Sequence, residues 1–165
     1  MMDLLQINVT ANWGSTGKIA EVIGQNAQSS GWISFLAYGR MSNQSSSELI
    51  KIGTRVDTYI HYLFDRLFDK EGLSSRISTK KLIRRIESIK PDIVHLHNIH
   101  DHYLNYQILF EYLNKTDIKV VWTFHDCWAF TGHCYHFVHV DCMKWTEQCS
   151  DCIQRHKFID RSREN

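Results

Sequence analysis

Leu4-Leu-Gln-Ile-Asn-Val-Thr-Ala-Asn-Trp-Gly-Ser-Thr-Gly-Lys-Ile-Ala-Glu-Val-Ile23 passes from an apolar run, through a polar loop with two glycines, into a segment whose apolar residues recur at helical spacing. Leu4 to Val9 reads as a strand. Thr10 to Gly17 reads as the loop, and Ile19, Val22, Ile23 and Ala27 as one face of a helix. The alternation continues outward from there. Ile33 to Tyr38 is a second strand stopped by Gly39, the polar loop Ser42 to Ser47 follows, and Leu49 to Ile52 is a third strand. Val56, Tyr59, Ile60, Leu63, Phe64, Leu67 and Phe68 keep the i, i+3, i+4 pattern for more than three turns and define a helix. Leu82, Ile83, Ile86 and Ile89 mark another, closed by the only proline, Pro91. Ile93 to Leu96 is a buried strand, Leu104, Ile108, Leu109 and Tyr112 a helix, and Val120 to Phe124 a fifth strand. Strands and helices in this alternation predict an α/β domain built on a Rossmann-like, doubly wound parallel sheet.

The chain has 165 residues, enough for one domain that buries most of its unfolded surface, and residues 1–165 are read as that single domain. With 43% hydrophobic residues, 22% charged residues and a net charge of +1, the composition argues against a nucleic-acid partner. No apolar run is long enough to span a bilayer, and the start is not that of a secretory signal, so a cytoplasmic location is expected. Lys80, Lys81, Arg84, Arg85 and Lys90 flank the stripe Leu82, Ile83, Ile86 and Ile89. That pattern fits either a core-packed helix with a solvated face or a peripheral contact at the inner face of the membrane.

In open parallel sheets ligands bind beyond the carboxyl ends of the strands, and the polar residues collect there. The first strand leads into Asn12, Gly14, Ser15, Thr16 and Gly17, and the second into Arg40. The fourth leads into His97, Asn98, His100 and Asp101, and the fifth into His125 and Asp126. Gly14-Ser-Thr-Gly17-Lys18 is too short for a Walker A loop: it has two residues between its glycines where four are needed, and Ile19 follows the lysine. Backbone amides at such a helix start can still meet a phosphate, or the loop is an ordinary tight turn. His95 and His97 flank Leu96 and point the same way; His95 reads as structural, whereas His97 is balanced between the two roles. His125, at the end of a strand and followed by Asp126, reads as an imidazole offered to a substrate hydroxyl with a carboxylate nearby.

Eight of the ten histidines lie between His95 and His139, and all five cysteines lie in the segment 127–152. Cys134-x7-Cys142-x6-Cys149-x2-Cys152 contains one Cys-x-x-Cys knuckle, with Cys127 and His133 close by. Four thiolates would close a structural zinc site with no open catalytic position; disulfides and plain reduced cysteines are the other readings.

The Gly14 to Gly17 loop, Pro91-Asp-Ile-Val-His-Leu-His97 and Thr123-Phe-His-Asp-Cys-Trp-Ala-Phe-Thr-Gly-His-Cys134, in this order, resemble family 4 glycosyltransferases, in particular bacterial polysaccharide and lipopolysaccharide enzymes. The third segment is the specific one. The resemblance implies half of a GT-B enzyme, in which two Rossmann-like domains face each other across a cleft. It also implies a nucleotide-sugar donor held mainly by a C-terminal domain, no catalytic metal, and transfer with retention to a glycan or lipid-linked acceptor. On this pattern Gly14, Ser15, Thr16 and Gly17 approach the donor diphosphate. His125 contacts the transferred sugar or orients the acceptor, and His97, Asn98 and Arg40 belong to the acceptor side. No paired-glutamate signature of the donor domain follows, so the chain reads as the acceptor half without its C-terminal partner, inactive alone. The rival readings are a non-enzymatic zinc module on a Rossmann-like scaffold and a metal-dependent hydrolase. The second lacks a His-x-x-x-His helix.

Overall fold

The computed structural model describes residues 1–68, 71–131 and 134–147. Five parallel strands, β1 (Asp3–Asn8), β2 (Ile33–Tyr38), β3 (Glu48–Lys51), β4 (Ile93–Leu96) and β5 (Lys119–Trp122), form one sheet in the order β3-β2-β1-β4-β5. The register sets Asn8 beside Tyr38, Leu4 beside Ile93, and Leu96 beside Trp122. The sheet is parallel and Rossmann-like, as the alternating pattern predicts, and its strand order reverses direction between β1 and β4.

The helices are α1 (Gly14–Ser29), α2 (Arg55–Phe68), α3 (Arg76–Ile89), α4 (Tyr106–Leu113) and the single turn α5 (Trp128–Thr131). Local chemistry marks their ends. Thr54 and Asp57 form a reciprocal capping box on α2: the Asp57 amide donates to Thr54 Oγ1 at 3.1 Å and the Thr54 amide to Asp57 Oδ2 at 2.8 Å. Asn105 caps α4 by accepting from the Ile108 amide at 2.9 Å. Lys90, in the left-handed region at φ 53°, ends α3 just before Pro91.

The core joins Leu5, Ile7, Val94 and Leu96 of the central strands to Leu82, Ile86, Leu109 and Trp128 of the flanking helices. The two amphipathic helices use their apolar stripes differently. On α3, Leu82 and Ile86 are buried in this core, so the stripe is used in packing and its basic neighbours form an exposed face. On α2 the apolar pattern is real but points outward. Val56, Tyr59, Ile60, Leu63, Phe64, Leu67 and Phe68 are all exposed, Tyr59 at 67% and Leu67 at 51%. The inward face is polar and is tied down by hydrogen bonds. His61, fully buried, receives the Gly72 amide on Nε2 at 3.1 Å and donates from Nδ1 to Ser75 Oγ at 2.8 Å. Asp65 accepts from His102 at 3.0 Å.

Candidate functional site

The rim at the carboxyl ends of the strands is assembled from β1, β4 and β5. β4 places His95 and His97 on one side of the sheet, with their rings stacked 4.2 Å apart, and His125 follows β5 with its ring 5.2 Å from that of His97. Gln6, in the middle of β1 and completely buried, completes the group. Its Nε2 donates to the Ala20 carbonyl of α1 at 2.8 Å, which leaves Oε1 facing His97 Nε2 at 3.0 Å.

Proton positions follow from these contacts. A carbonyl only accepts, so Ala20 fixes the Gln6 amide, and Gln6 Oε1 requires His97 to carry its proton on Nε2. Burial, with His95 and His125 adding to it, depresses the His97 pKa to about 3, so the ring is neutral and Nδ1 is an acceptor. His125 Nε2, 2.9 Å away, is therefore the donor to that nitrogen. Burial also lowers the pKa of His125 despite the opposing field of Asp126, which keeps it neutral. Its own Nδ1 is left as a lone-pair acceptor with no hydrogen-bond partner among the described residues. His95 holds Thr123 Oγ1 at 2.8 Å, in agreement with its structural reading.

The other expected residues take distinct places. His97 is 1% exposed with both nitrogens engaged, so it meets a ligand only through His125. Asp126 faces away from such a partnership: Oδ2 pairs with His100 at 2.8 Å and Oδ1 caps the Trp128 amide at 2.9 Å, starting α5. Asn98 donates its amide to Asn8 Oδ1 at 3.3 Å, which links the ends of β4 and β1 at the point where the sheet order reverses. Gly14 turns the chain at φ 66°, and Gly14 and Ser15 are exposed at the start of α1, where no acidic residue occupies the first turn. Thr16 receives the Asn8 amide at 3.3 Å. Gly17 is buried, and a Cβ there would stand 2.7 Å from Thr10 Oγ1, so its role is close packing of α1 on the loop.

Arg40 donates to Asp101 Oδ2 at 2.7 Å, and Asp101 Oδ1 holds His102. Burial opposes a charge on either partner, but His102 and Arg40 keep the Asp101 carboxyl far below the usual range. Asp101 and Asp65 together raise His102 to about 9. Behind them Glu71 accepts from Tyr135 at 2.7 Å and from the Asp101 amide at 3.3 Å. Glu71, His102 and Gln6 carried no signal in spacing; only the polar Gln6 inside the apolar run Leu4 to Val9 hinted at a buried partner.

Cys127, Cys134 and Cys142 are half-buried, and no two of them are joined in a disulfide. Cys149, Cys152 and His133 lie outside the described residues, so the knuckle of the expected zinc set does too. Among the described residues no three metal-binding side chains gather. None of the described helices is long and apolar enough to cross a membrane.

Residues 36–153 match the family model Glycosyltransferase Family 4, which covers well over half of the chain. The chain belongs to glycosyltransferase family 4. It is also 27% identical, over 98% of its own length, to WcaC, a glycosyl transferase assigned to colanic acid biosynthesis in Escherichia coli (strain K12). It spans 43% of that relative. No solved structure matches it significantly. Within this family 4 domain, the three segments that carried the resemblance all reach the same rim: the Gly14 to Gly17 loop follows β1, Pro91 to His97 contains β4, and Thr123 onward leaves β5.

Proposed function

We propose that the chain is the acceptor-side half of a retaining GT-B glycosyltransferase, which moves a sugar from a nucleotide-sugar donor to a glycan or lipid-linked acceptor at the cytoplasmic face of a membrane. A donor-binding C-terminal domain completes the cleft. The observation that carries this reading is the Gln6–His97–His125 chain, which presents a neutral imidazole acceptor, His125 Nδ1, on the rim of a family 4 domain.

In the transfer, the bond between the anomeric carbon and the nucleotide diphosphate breaks, and a bond to the acceptor oxygen forms on the same face. The acceptor's hydroxyl proton leaves with the diphosphate. Positive charge develops on the sugar ring as the first bond lengthens. His125 Nδ1 accepts a hydrogen bond from a hydroxyl of that sugar, which makes the oxygen more electron-rich and lowers the energy of the charged state. The exposed amides of Gly14 and Ser15, with the positive end of α1 behind them, face the donor diphosphate. Arg40 and Asn98 line the acceptor side, and His97 acts by positioning His125. The slot between His97, Trp122 and Trp128 holds only about 10 Å³, room for one water, so the sugar rests over the rim.

The test is His125→Ala in the protein that carries both halves. Turnover from a nucleotide-sugar donor is expected to fall about 30- to 1000-fold, equivalent to about 2 to 4 kcal/mol, with the melting temperature retained. Near-normal turnover with early melting would make His125 structural and move the reaction elsewhere.

A further inference from the structure

The outward apolar face of α2 adjoins a cationic pocket at its first turn, and of these residues only Arg40 also belongs to the acceptor side of the rim. The pocket, of about 250 Å³, is lined by Gly39, Arg40, Met41, Lys51, Arg55 and Thr58 at the ends of β2 and β3. Its three cations crowd one another. Lys51 Nζ donates to the carbonyls of Gly39 and Arg40, and burial together with the fields of Arg55 and Arg40 lowers its pKa, so the pocket favours an added anion. Asp101, the carboxylate closest to this group in bonding terms, is already committed to Arg40 and His102. Beyond the pocket runs a helix of 14 residues, about 21 Å long, whose outer face from Val56 to Phe68 is apolar. Its carboxylates Asp57 and Asp65 are held by Thr54 and His102, away from that face.

We propose that this surface receives a phosphorylated lipid carrier: the phosphate or diphosphate enters the Arg40–Lys51–Arg55 pocket while α2 lies in the leaflet beside the lipid tail. The charge pattern selects this occupant. A bilayer alone would match the apolar face but leave the pocket unfilled, and a soluble phosphate would fill the pocket but leave the face wet. Arginine pairs with phosphate oxygens in a two-pronged geometry, and Thr58 adds a hydroxyl at the pocket wall. The proposal rests on the transferase reading and makes its acceptor lipid-linked. The strands of the sheet are about 4.8 Å apart, so a carrier phosphate at the ends of β2 and β3 stands three to four strand spacings, about 14 to 19 Å, from β5 and His125. A carrier diphosphate with a short head oligosaccharide can bridge that distance.

The experiment is vesicle flotation of the purified chain without any sugar donor. Three vesicle types are compared: phosphatidylcholine alone, phosphatidylcholine with a polyprenyl phosphate, and phosphatidylcholine with phosphatidylglycerol at equal charge. Half-maximal binding to the polyprenyl phosphate vesicles is expected at a lipid concentration about tenfold lower than for either other type, with inorganic pyrophosphate competing. Arg55→Glu and Phe64→Asp each alter an exposed side chain, and each is expected to abolish the difference while the circular dichroism spectrum and melting temperature stay unchanged. Unchanged binding by Arg55→Glu would overturn the proposal, as would equal binding to phosphatidylglycerol vesicles. A dimer broken by Phe64→Asp, in place of vesicle binding, would assign the face to a second copy and also overturn it. Because no donor is present, loss of transfer in His125→Ala leaves this result standing, and failure of lipid binding leaves the role of His125 untouched.

Discussion

His102 donates from Nε2 to Asp65 Oδ2 at 3.0 Å, and so fastens the inward face of α2 to the loop that follows β4. On its other nitrogen it meets Asp101, which also holds Arg40. Burial works against the imidazolium, yet the two carboxylates raise the pKa from 6.5 to about 9. A histidine raised in the folded state stabilises it fully below pH 6.5, and that stabilisation disappears as the pH climbs through about 9. The melting temperature is therefore expected to fall between these values, by the equivalent of about 1 to 3 kcal/mol after screening at the partly open site. In His102→Gln the alkaline slope should flatten; a slope that persists in this variant would place the titration elsewhere.

His97 produces the opposite slope. Burial, aided by His95 and His125, lowers its pKa from 6.5 to about 3, so between these values the unfolded chain binds a proton that the folded chain refuses. Stability present above pH 6.5 is lost as the pH drops toward 3, by about 2 to 5 kcal/mol. Thermal melts in a pH series should show a maximum near pH 6.5, and His97→Gln should reduce the acid limb without changing the alkaline one.

Gly39 lies against a ring. A Cβ at this position would stand 2.1 Å from Tyr103 Cγ, and Tyr103 is fully buried with its hydroxyl donating to the Asn98 carbonyl at 2.7 Å. Gly39→Ala is expected to cost about 3 kcal/mol in denaturant unfolding, because rigid core neighbours must move. Gly31→Ala is the control. It meets nothing within 4 Å but has φ 80°, so it should cost only about 1 kcal/mol of backbone strain.

Replacing Gln6 by Leu leaves the buried His97 Nε2 without its acceptor, while the Ala20 carbonyl loses only the second of its donors, since α1 supplies the first. A buried group left without a partner costs about 1 to 3 kcal/mol. The proton on His97 is then no longer fixed. Nitrogen NMR shifts are expected to show His125 with an unprotonated Nδ1 in the native chain and a mixture of tautomers in Gln6→Leu. A single tautomer in both would mean that Gln6 does not set it.

The α/β alternation was legible because strand and helix periods are local, and all five strands lie within a residue or two of their expected positions. The shared direction of His95 and His97 followed from strand geometry in the same way. What local pattern cannot carry is the far side of a contact. The stripe of α2 announced an amphipathic helix, but the same spacing describes a core face and an outward face; His61 and Asp65 on the opposite side decided between them. Asp101 and Arg40 are 61 residues apart and Gln6 and His97 are 91 apart, so neither pair leaves a mark in spacing. Asp126, adjacent to His125 in sequence, turns instead to His100, since consecutive residues beyond a strand end diverge.

An inverted helix also changes how the domain opens. Since α2 turns its apolar side chains to the outside, they add little burial to the folded chain, and the helix is attached chiefly through polar contacts at His61 and Asp65. With so few anchoring points, α2 is expected to open as a unit of its own while the sheet stays closed, its amides exchanging earlier than those of α3 in a hydrogen-exchange measurement. The apolar surface that α2 carries can thus shift without disturbing the strands that lead to His125.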